Sequence, residues 1–225
     1  MRSSGREPTD ALFAQYRSIN RALWAAVERG ETTPGEVRVT RFEQFVAEAD
    51  LGRPLDGSPA AADGGTVDPE AMADVFTNGL ADNGQLYPGV GAVLDAVAGR
   101  SRLALVTNGL QEVQRTRIER LGLARYFEAV VISAEVGTSK PGTEIFDIAF
   151  SALDDPARDA CLMIGDSLTS DIQGGTNYGI DTCWYNPDHK SSTTVPTAVV
   201  THEIAQLAQL PPLALSGRVT SSPEA

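Results

Sequence analysis

The sequence predicts an α/β fold: a parallel sheet wound with helices on both faces, preceded by a block of helices. Three observations predict it. From Tyr87-Pro88-Gly89 onward, short apolar runs alternate with helix-patterned segments, the strand-then-helix rhythm of a doubly wound sheet. Two of those runs, AVVI at 129–132 and CLMI at 161–164, are apolar without interruption, as strands covered on both faces are. Residues 9–81, ahead of them, are mostly of helical pattern.

In chain order, FAQYRSINRALWAAVERG places Phe13, Tyr16, Ile19, Leu23, Trp24 and Val27 at helical spacing, and VTRFEQFVAEADLG repeats the habit with Phe42, Phe45 and Val46. A Gly/Pro-rich break at 30–35 separates them, and GRPLDGSPAAADGG reads as a mobile loop. PEAMADVFTNGLAD is a third helix, with Pro69 suited to its first turn. After the change of character come a helix (GVGAVLDAVAG), a strand ending at Thr107 (RLALVTNG) and a helix with Leu110, Val113, Ile118 and Leu121 apolar. A strand (AVVIS), a helix (GTEIFDIAFSALD), a strand (ACLMIGD), a short helix (SDIQGGTNYGI) and a strand (DTCWYN) follow. TAVVT is expected as one more strand, and LPPLALSGRVTSSPEA as a frayed tail. The expected layout is a helical module at 9–85, an α/β core at 86–210 and a flexible tail at 211–225.

The 225 residues carry a net charge of -12, which repels a nucleic-acid polymer at long range while leaving a small anion free to bind a local pocket of donors and metal. Cys161 and Cys183 both sit in strand-like runs, and are expected as buried thiols of a cytoplasmic protein. No stretch approaches ~18 apolar residues, so no membrane span is expected. MRSSGREPTD lacks the apolar core of a secretory signal. His189 and His202 have no metal-ligand spacing, and without a G-x-S-x-G elbow a Ser-His-Asp site is not expected.

In an open α/β sheet, ligands bind beyond the carboxyl ends of the strands. Three such tips carry reactive groups here. Thr107-Asn108-Gly109 offers a hydroxyl and successive N–H groups just before a helix, an oxyanion cradle; Thr107 as a plain helix cap is the alternative. Lys140, in VGTSKPG, is one of two lysines beside sixteen arginines, which suits a need for a compact point charge; an ordinary loop lysine is the alternative. Asp166 closes the strand LMIG and Asp171 opens the next helix. Hard oxygen ligands of this kind suit Mg²⁺ sharing a phosphate oxygen, with helix capping by Asp171 or Ser170 as the alternative. A hydroxyl cradle, a lysine and an acid pair on successive βα units together point to phosphoryl-transfer chemistry. A receiver domain would place its acids first and its Thr and Lys later.

The order T-N-G, S-K-P, G-D-S-x-x-x-D resembles motifs two, three and four of the haloacid-dehalogenase-like (HAD) hydrolases. VTNGLQEVQRTRIERLGLARYFEAVVISAEVGTSKPGTEIFDIAF, MIGDSLTSDIQGGTNYGIDTCWYN and YRSINRALWAAVERGETT are similar to pyrimidine 5'-nucleotidases of the YjjG type. The resemblance covers roughly residues 9–210, with 53–65 as an insert. It implies a Rossmann-like core with a helical cap, Mg²⁺ as cofactor, and a small phosphorylated metabolite, a nucleoside monophosphate, as substrate. It further implies that Thr107 and Asn108, with Gly109, hold the phosphate, that Lys140 neutralises phosphate and nucleophile, that Asp166 ligates Mg²⁺, and that Asp171 ligates it through water or orients Asp166. A sugar phosphatase of the superfamily, or a paralogue that binds phosphometabolites without turnover, are the alternatives; a C–halogen hydrolase is less in keeping with the subgroup.

One departure stands out. The family's first motif is a buried strand ending in D-x-D, whose first Asp becomes an aspartyl-phosphate and whose second is the general acid and base. This sequence contains no Asp-x-Asp. The remaining groups stabilise charge but cannot attack phosphorus. The family's first strand lies between the strands that here end at Thr107 and Asp166, so the first core strand is expected to be missing, leaving inner edges unpaired. The expectation is a chain of low stability that is inactive by itself, a fragment or late start of a longer enzyme.

Overall fold

The structure, a computed structural model, describes residues 9–49 and 67–215. The stretch 53–65 expected as an insert lies outside the described residues, as does 216–225 of the expected tail. The chain divides into two units: the residues up to Gly84 together with Gly109–Arg117, and Gln85–Asn108 together with the residues from Ile118 on.

The first unit is built on α1 (Asp10–Glu28), α2 (Pro34–Glu48) and α3 (Pro69–Asn83). Each begins at a side-chain oxygen that takes up an otherwise orphaned N–H. Thr9 accepts from Leu12, Thr33 forms a reciprocal capping box with Glu36, and Asp68 accepts from Glu70. Pro34 and Pro69 stand at the first helical positions, where no N–H is needed. The stripe Leu12, Tyr16, Ile19 and Leu23 packs with Phe45, Val46 and Met72. Arg41 is buried as well, its guanidinium 4.8 Å from the Phe76 ring centre and 5.3 Å from that of Phe42, so two ring faces cover the cation.

The second unit is α/β. It contains α4 (Val90–Ala98), β1 (Ala104–Thr107), β2 (Ala129–Ile132), α6 (Ser133–Val136), α7 (Glu144–Ser151), β3 (Leu162–Gly165), α8 (Gln173–Tyr178), β4 (Asp181–Tyr185), β5 (His202–Ile204) and α9 (Leu210–Leu215); α5 (Gln111–Arg120) begins in the first unit and ends in the second. All strand pairs are parallel, in two ladders, β1–β2 and β3–β4–β5. One face is covered by Ile145, Phe146, Ala149 and Phe150 of α7 with Tyr178 of α8. A second cluster joins Val93 of α4, Cys183, Ile204 and Leu210. Gly175 is what lets α8 lie close to the sheet, for a Cβ there would stand 2.8 Å from Thr182 and 2.9 Å from Met163. Burial pushes the Cys183 thiol up to about 11, so it serves as a small core group.

Two element expectations are corrected. TAVVT is not a strand; among the described residues the last strand is β5, at His202–Ile204. Val195, Ala198 and Val200 instead pack as loop side chains against Leu168, Ile172 and Trp184, while Val199 N–H donates to Thr176 Oγ1 at 2.9 Å. The tail does not begin at 211 either, because Pro211 and Pro212 stand in the first turn of α9, where proline is tolerated. Among the described residues, no helix is long and apolar enough to cross a membrane.

Candidate functional site

The predicted residues sit at the carboxyl ends of β1 and β3 and in the segment entering α7. Lys140 is 5% exposed, and its ammonium donates to the Asp171 carboxylate (Oδ1) at 2.7 Å and to the Val106 carbonyl at 2.7 Å. Asp171 is buried too, and its second oxygen accepts from the Ser167 backbone N–H at 3.0 Å. Two buried opposite charges, each with a further hydrogen bond, form the arrangement in which a desolvated pair is tolerated.

Asn108 braces this lysine. Its amide donates to the Lys140 carbonyl at 2.7 Å and accepts from the Lys140 N–H at 2.9 Å. The side chain expected to hold a phosphate is therefore committed to the Lys140 main chain. Thr107 ends β1, in register with Ile132. Gly109 follows Asn108 and is buried; a Cβ on it would meet Gln114 Nε2 at 2.6 Å.

Asp166 follows Gly165 at the tip of β3 and is exposed. Its backbone is fixed from below: the Trp184 indole donates to the Asp166 carbonyl at 3.1 Å, and Trp184 is 2% exposed. The chain then enters a π-helical turn, Leu168–Ile172, capped by Ser167, whose side chain accepts from Ser170. Such turns recur at functional sites. Asp171, in that turn, reaches back over Gly165, where a Cβ would collide with the Asp171 carboxylate. The expected result of Gly165→Ala follows: the acid is pushed off Lys140, and the urea midpoint falls by the equivalent of about 1–3 kcal/mol, the usual cost of overpacking. An unchanged midpoint would show that Asp171 moves aside at no cost.

Three participants were not legible in the sequence. The Val106 carbonyl has no residue signature, and Ser167, though part of the G-D-S motif, meets Asp171 through its backbone N–H, which no side-chain type announces. Trp184 stands opposite Gly165 in the β3–β4 register, but nothing in DTCWYN signals where the indole N–H points.

The profile of the haloacid dehalogenase-like hydrolases matches residues 9–179. The chain belongs to this family. Within it, the chain is 35% identical to the pyrimidine 5'-nucleotidase YjjG of Escherichia coli, over 87% of this chain and 81% of that one. It is 33% identical to the pyrimidine 5'-nucleotidase PynA of Streptococcus pneumoniae, over 86% of this chain and 76% of the other. The magnesium-bound crystal structure of the HAD-hydrolase YfnB of Bacillus subtilis superposes with a TM-score of 0.78 at 32% identity, covering 95% of this chain and 86% of that one. The HAD hydrolase fold, a Rossmann-like α/β core accompanied by helices, is thus the fold of this chain.

Whether the acids suit a cation is a question of donor chemistry. No cluster of three or more His, Cys, Asp or Glu able to hold a metal occurs among the described residues. Mg²⁺ does not ask for one: it keeps several waters and binds through one or two carboxylates plus substrate phosphate. The exposed Asp166 carboxylate, on a backbone anchored by Trp184, fits that requirement. Asp171, with both oxygens engaged, fits the role of holding the turn and the lysine.

Proposed function

We propose that this site binds the phosphate of a pyrimidine nucleoside monophosphate together with Mg²⁺, and that its chemistry is phosphomonoester hydrolysis through an aspartyl-phosphate. The observation that carries the reading is the buried Lys140, held by Asp171, Val106 and Asn108 at the strand tips. A fixed ammonium there neutralises a phosphate dianion without reorganising. The Thr107 hydroxyl and the backbone N–H groups of 108–109 bind the phosphate oxygens, and the Asn108 side chain acts by positioning Lys140. Asp166 holds the cation, which when bound neutralises phosphate charge. The nucleotidase relatives YjjG and PynA support a pyrimidine nucleotide as substrate.

The attacking carboxylate is the part these residues do not supply. The sequence has no Asp-x-Asp, Asp171 is tied to Lys140, and Asp166 is assigned to the cation. The 225 residues therefore bind substrate without releasing phosphate. Titration calorimetry with Mg²⁺ tests this. UMP and CMP are expected to bind at least about tenfold more tightly than ribose 5-phosphate, the gain available from one or two base-directed contacts, with no inorganic phosphate released. Equal affinities would favour a sugar phosphate site, and phosphate release would overturn the assignment of a missing nucleophile.

A further inference from the structure

A cavity of about 520 Å³ lies at the carboxyl ends of β4 and β5, a size typical of small-molecule sites. Tyr185, the last residue of β4, forms one wall. Tyr87 and Pro88, just ahead of α4, form another, Ala92 of α4 a third, and Leu207 and Pro211, at the entry to α9, the fourth. Side chains alternate across a strand, so Tyr185 shares a face with Cys183, which packs with Val93 of α4 and Leu210 of α9. The β3–β4 register pairs Gly165 with Trp184. Asp166 therefore stands beside Tyr185 on the neighbouring strand, about 5 Å away from main chain to main chain. The two strands are parallel, so cavity and cation site share the edge of the sheet at which α/β ligands bind.

The walls select what can enter. No charged residue lines the cavity, so a second phosphate or a sugar carboxylate would lose its water there without meeting a counter-charge. Sugar hydroxyls fare little better against Pro, Ala, Leu and aromatic carbon, because each unpaired hydroxyl is costly to desolvate. A flat, uncharged ring meets neither obstacle. The rings of Tyr87 and Tyr185 lie 6.4 Å apart at 59°, so they meet as a corner of the wall rather than as a closed stack. Tyr87 is 69% exposed, and an aromatic face left in water at the rim of a cavity is a stacking platform for any base.

We propose that this cavity receives the pyrimidine ring of the substrate, stacked on Tyr87 with Tyr185 at its edge, while the phosphate lies between Lys140 and the cation at Asp166. The assignment rests on a nucleoside monophosphate being the substrate. It supplies what the phosphate site lacks, since Lys140, Thr107 and Asp166 meet only the group that UMP and ribose 5-phosphate have in common. Tyr87 and Tyr185 are then the residues that set the preference for a nucleotide over a sugar phosphate.

The test compares UMP with ribose 5-phosphate by titration calorimetry with Mg²⁺, on the 225-residue protein and on Tyr87→Ala, Tyr87→Phe and Ala92→Phe. Tyr87→Ala is expected to weaken UMP binding about tenfold, within the value of one base–aromatic stack, and to leave ribose 5-phosphate binding unchanged. Tyr87→Phe keeps the ring and is expected to bind UMP as the wild type does. Ala92 is exposed, so a phenylalanine there fills the cavity from its rim without entering the core. That variant is expected to weaken UMP about tenfold as well, again the value of one lost stack, with ribose 5-phosphate unchanged. Urea midpoints within error of the wild type are expected for all three. A wild-type preference for UMP that survives both Tyr87→Ala and Ala92→Phe would overturn the cavity assignment and leave the nucleotide reading standing. So would equal losses of UMP and ribose 5-phosphate in Tyr87→Ala, because the ring would then be acting on the phosphate site. Equal wild-type affinities, or binding of neither ligand, would overturn the nucleotide reading and the assignment with it.

Discussion

Lys140→Met is expected to lower the stability of the chain by about 3–5 kcal/mol, the range for removing one partner of a buried pair. Lys140 and Asp171 meet at 2.7 Å with side chains only 6% and 10% exposed. Methionine fills much the same space but leaves the Asp171 carboxylate desolvated, with the Ser167 N–H as its remaining partner at 3.0 Å. It also orphans the Val106 carbonyl that the ammonium now satisfies. Against a typical total of about 5–15 kcal/mol, that loss is large enough to be read from the urea midpoint at constant slope. The double variant Lys140→Met, Asp171→Asn removes both charges and is expected to recover part of the loss. Its coupling energy should be at least about 1 kcal/mol, the sign of a direct interaction between neighbours. Additive losses would mean that the two groups do not interact and that the site's charge balance has been misassigned. Phosphate affinity is expected to fall in both variants, since neither keeps the ammonium.

The fold was legible wherever local pattern and tertiary burial say the same thing. AVVI became β2, three of its four residues buried, because strands covered in parallel ladders are apolar throughout; LMIG forms a ladder strand too, β3, although none of its residues is fully buried. The pattern misled where burial came without a ladder. Ala198 and Val200 are apolar because they cover Trp184 and Ile172, yet the backbone around them is satisfied by threonine hydroxyls rather than by a strand: Thr201 N–H donates to Thr182 Oγ1 at 3.1 Å. An apolar run reports burial, not what the main chain bonds to. Pro211-Pro212 misled in the opposite sense, because two prolines break a helix but also begin one. At the site, Lys140 and Asp171 were recognisable as a pair of motifs, while their contact was not. Nor was the part of Asn108, whose reciprocal bonds to the Lys140 main chain depend on a loop conformation that no residue in VGTSKPG encodes alone.

Asp166→Asn should have the largest effect on ligand binding and almost none on the fold. The two are separable because the Asp166 side chain and main chain have different tasks. The main chain is structural, its carbonyl held by the buried Trp184 indole at 3.1 Å, and asparagine keeps that carbonyl. The side chain is exposed, and surface substitutions of this kind usually stay within about 0.5 kcal/mol. Asparagine keeps the shape and one oxygen but removes the negative charge, which is what a hard cation binds. Losing an outer-shell partner typically costs about 10–100-fold in metal affinity, so losing a directly bound carboxylate should cost at least as much. The measurement is Mn²⁺ binding by water proton relaxation, with Mg²⁺ as competitor, on wild type and variant, alongside thermal unfolding of both. Unchanged affinity with an unchanged midpoint would remove Asp166 from the metal site. Lost affinity with a lowered midpoint would mean that the side chain also holds the β3 tip in place, and that the division of labour between Asp166 and Asp171 is less clean than their geometry implies.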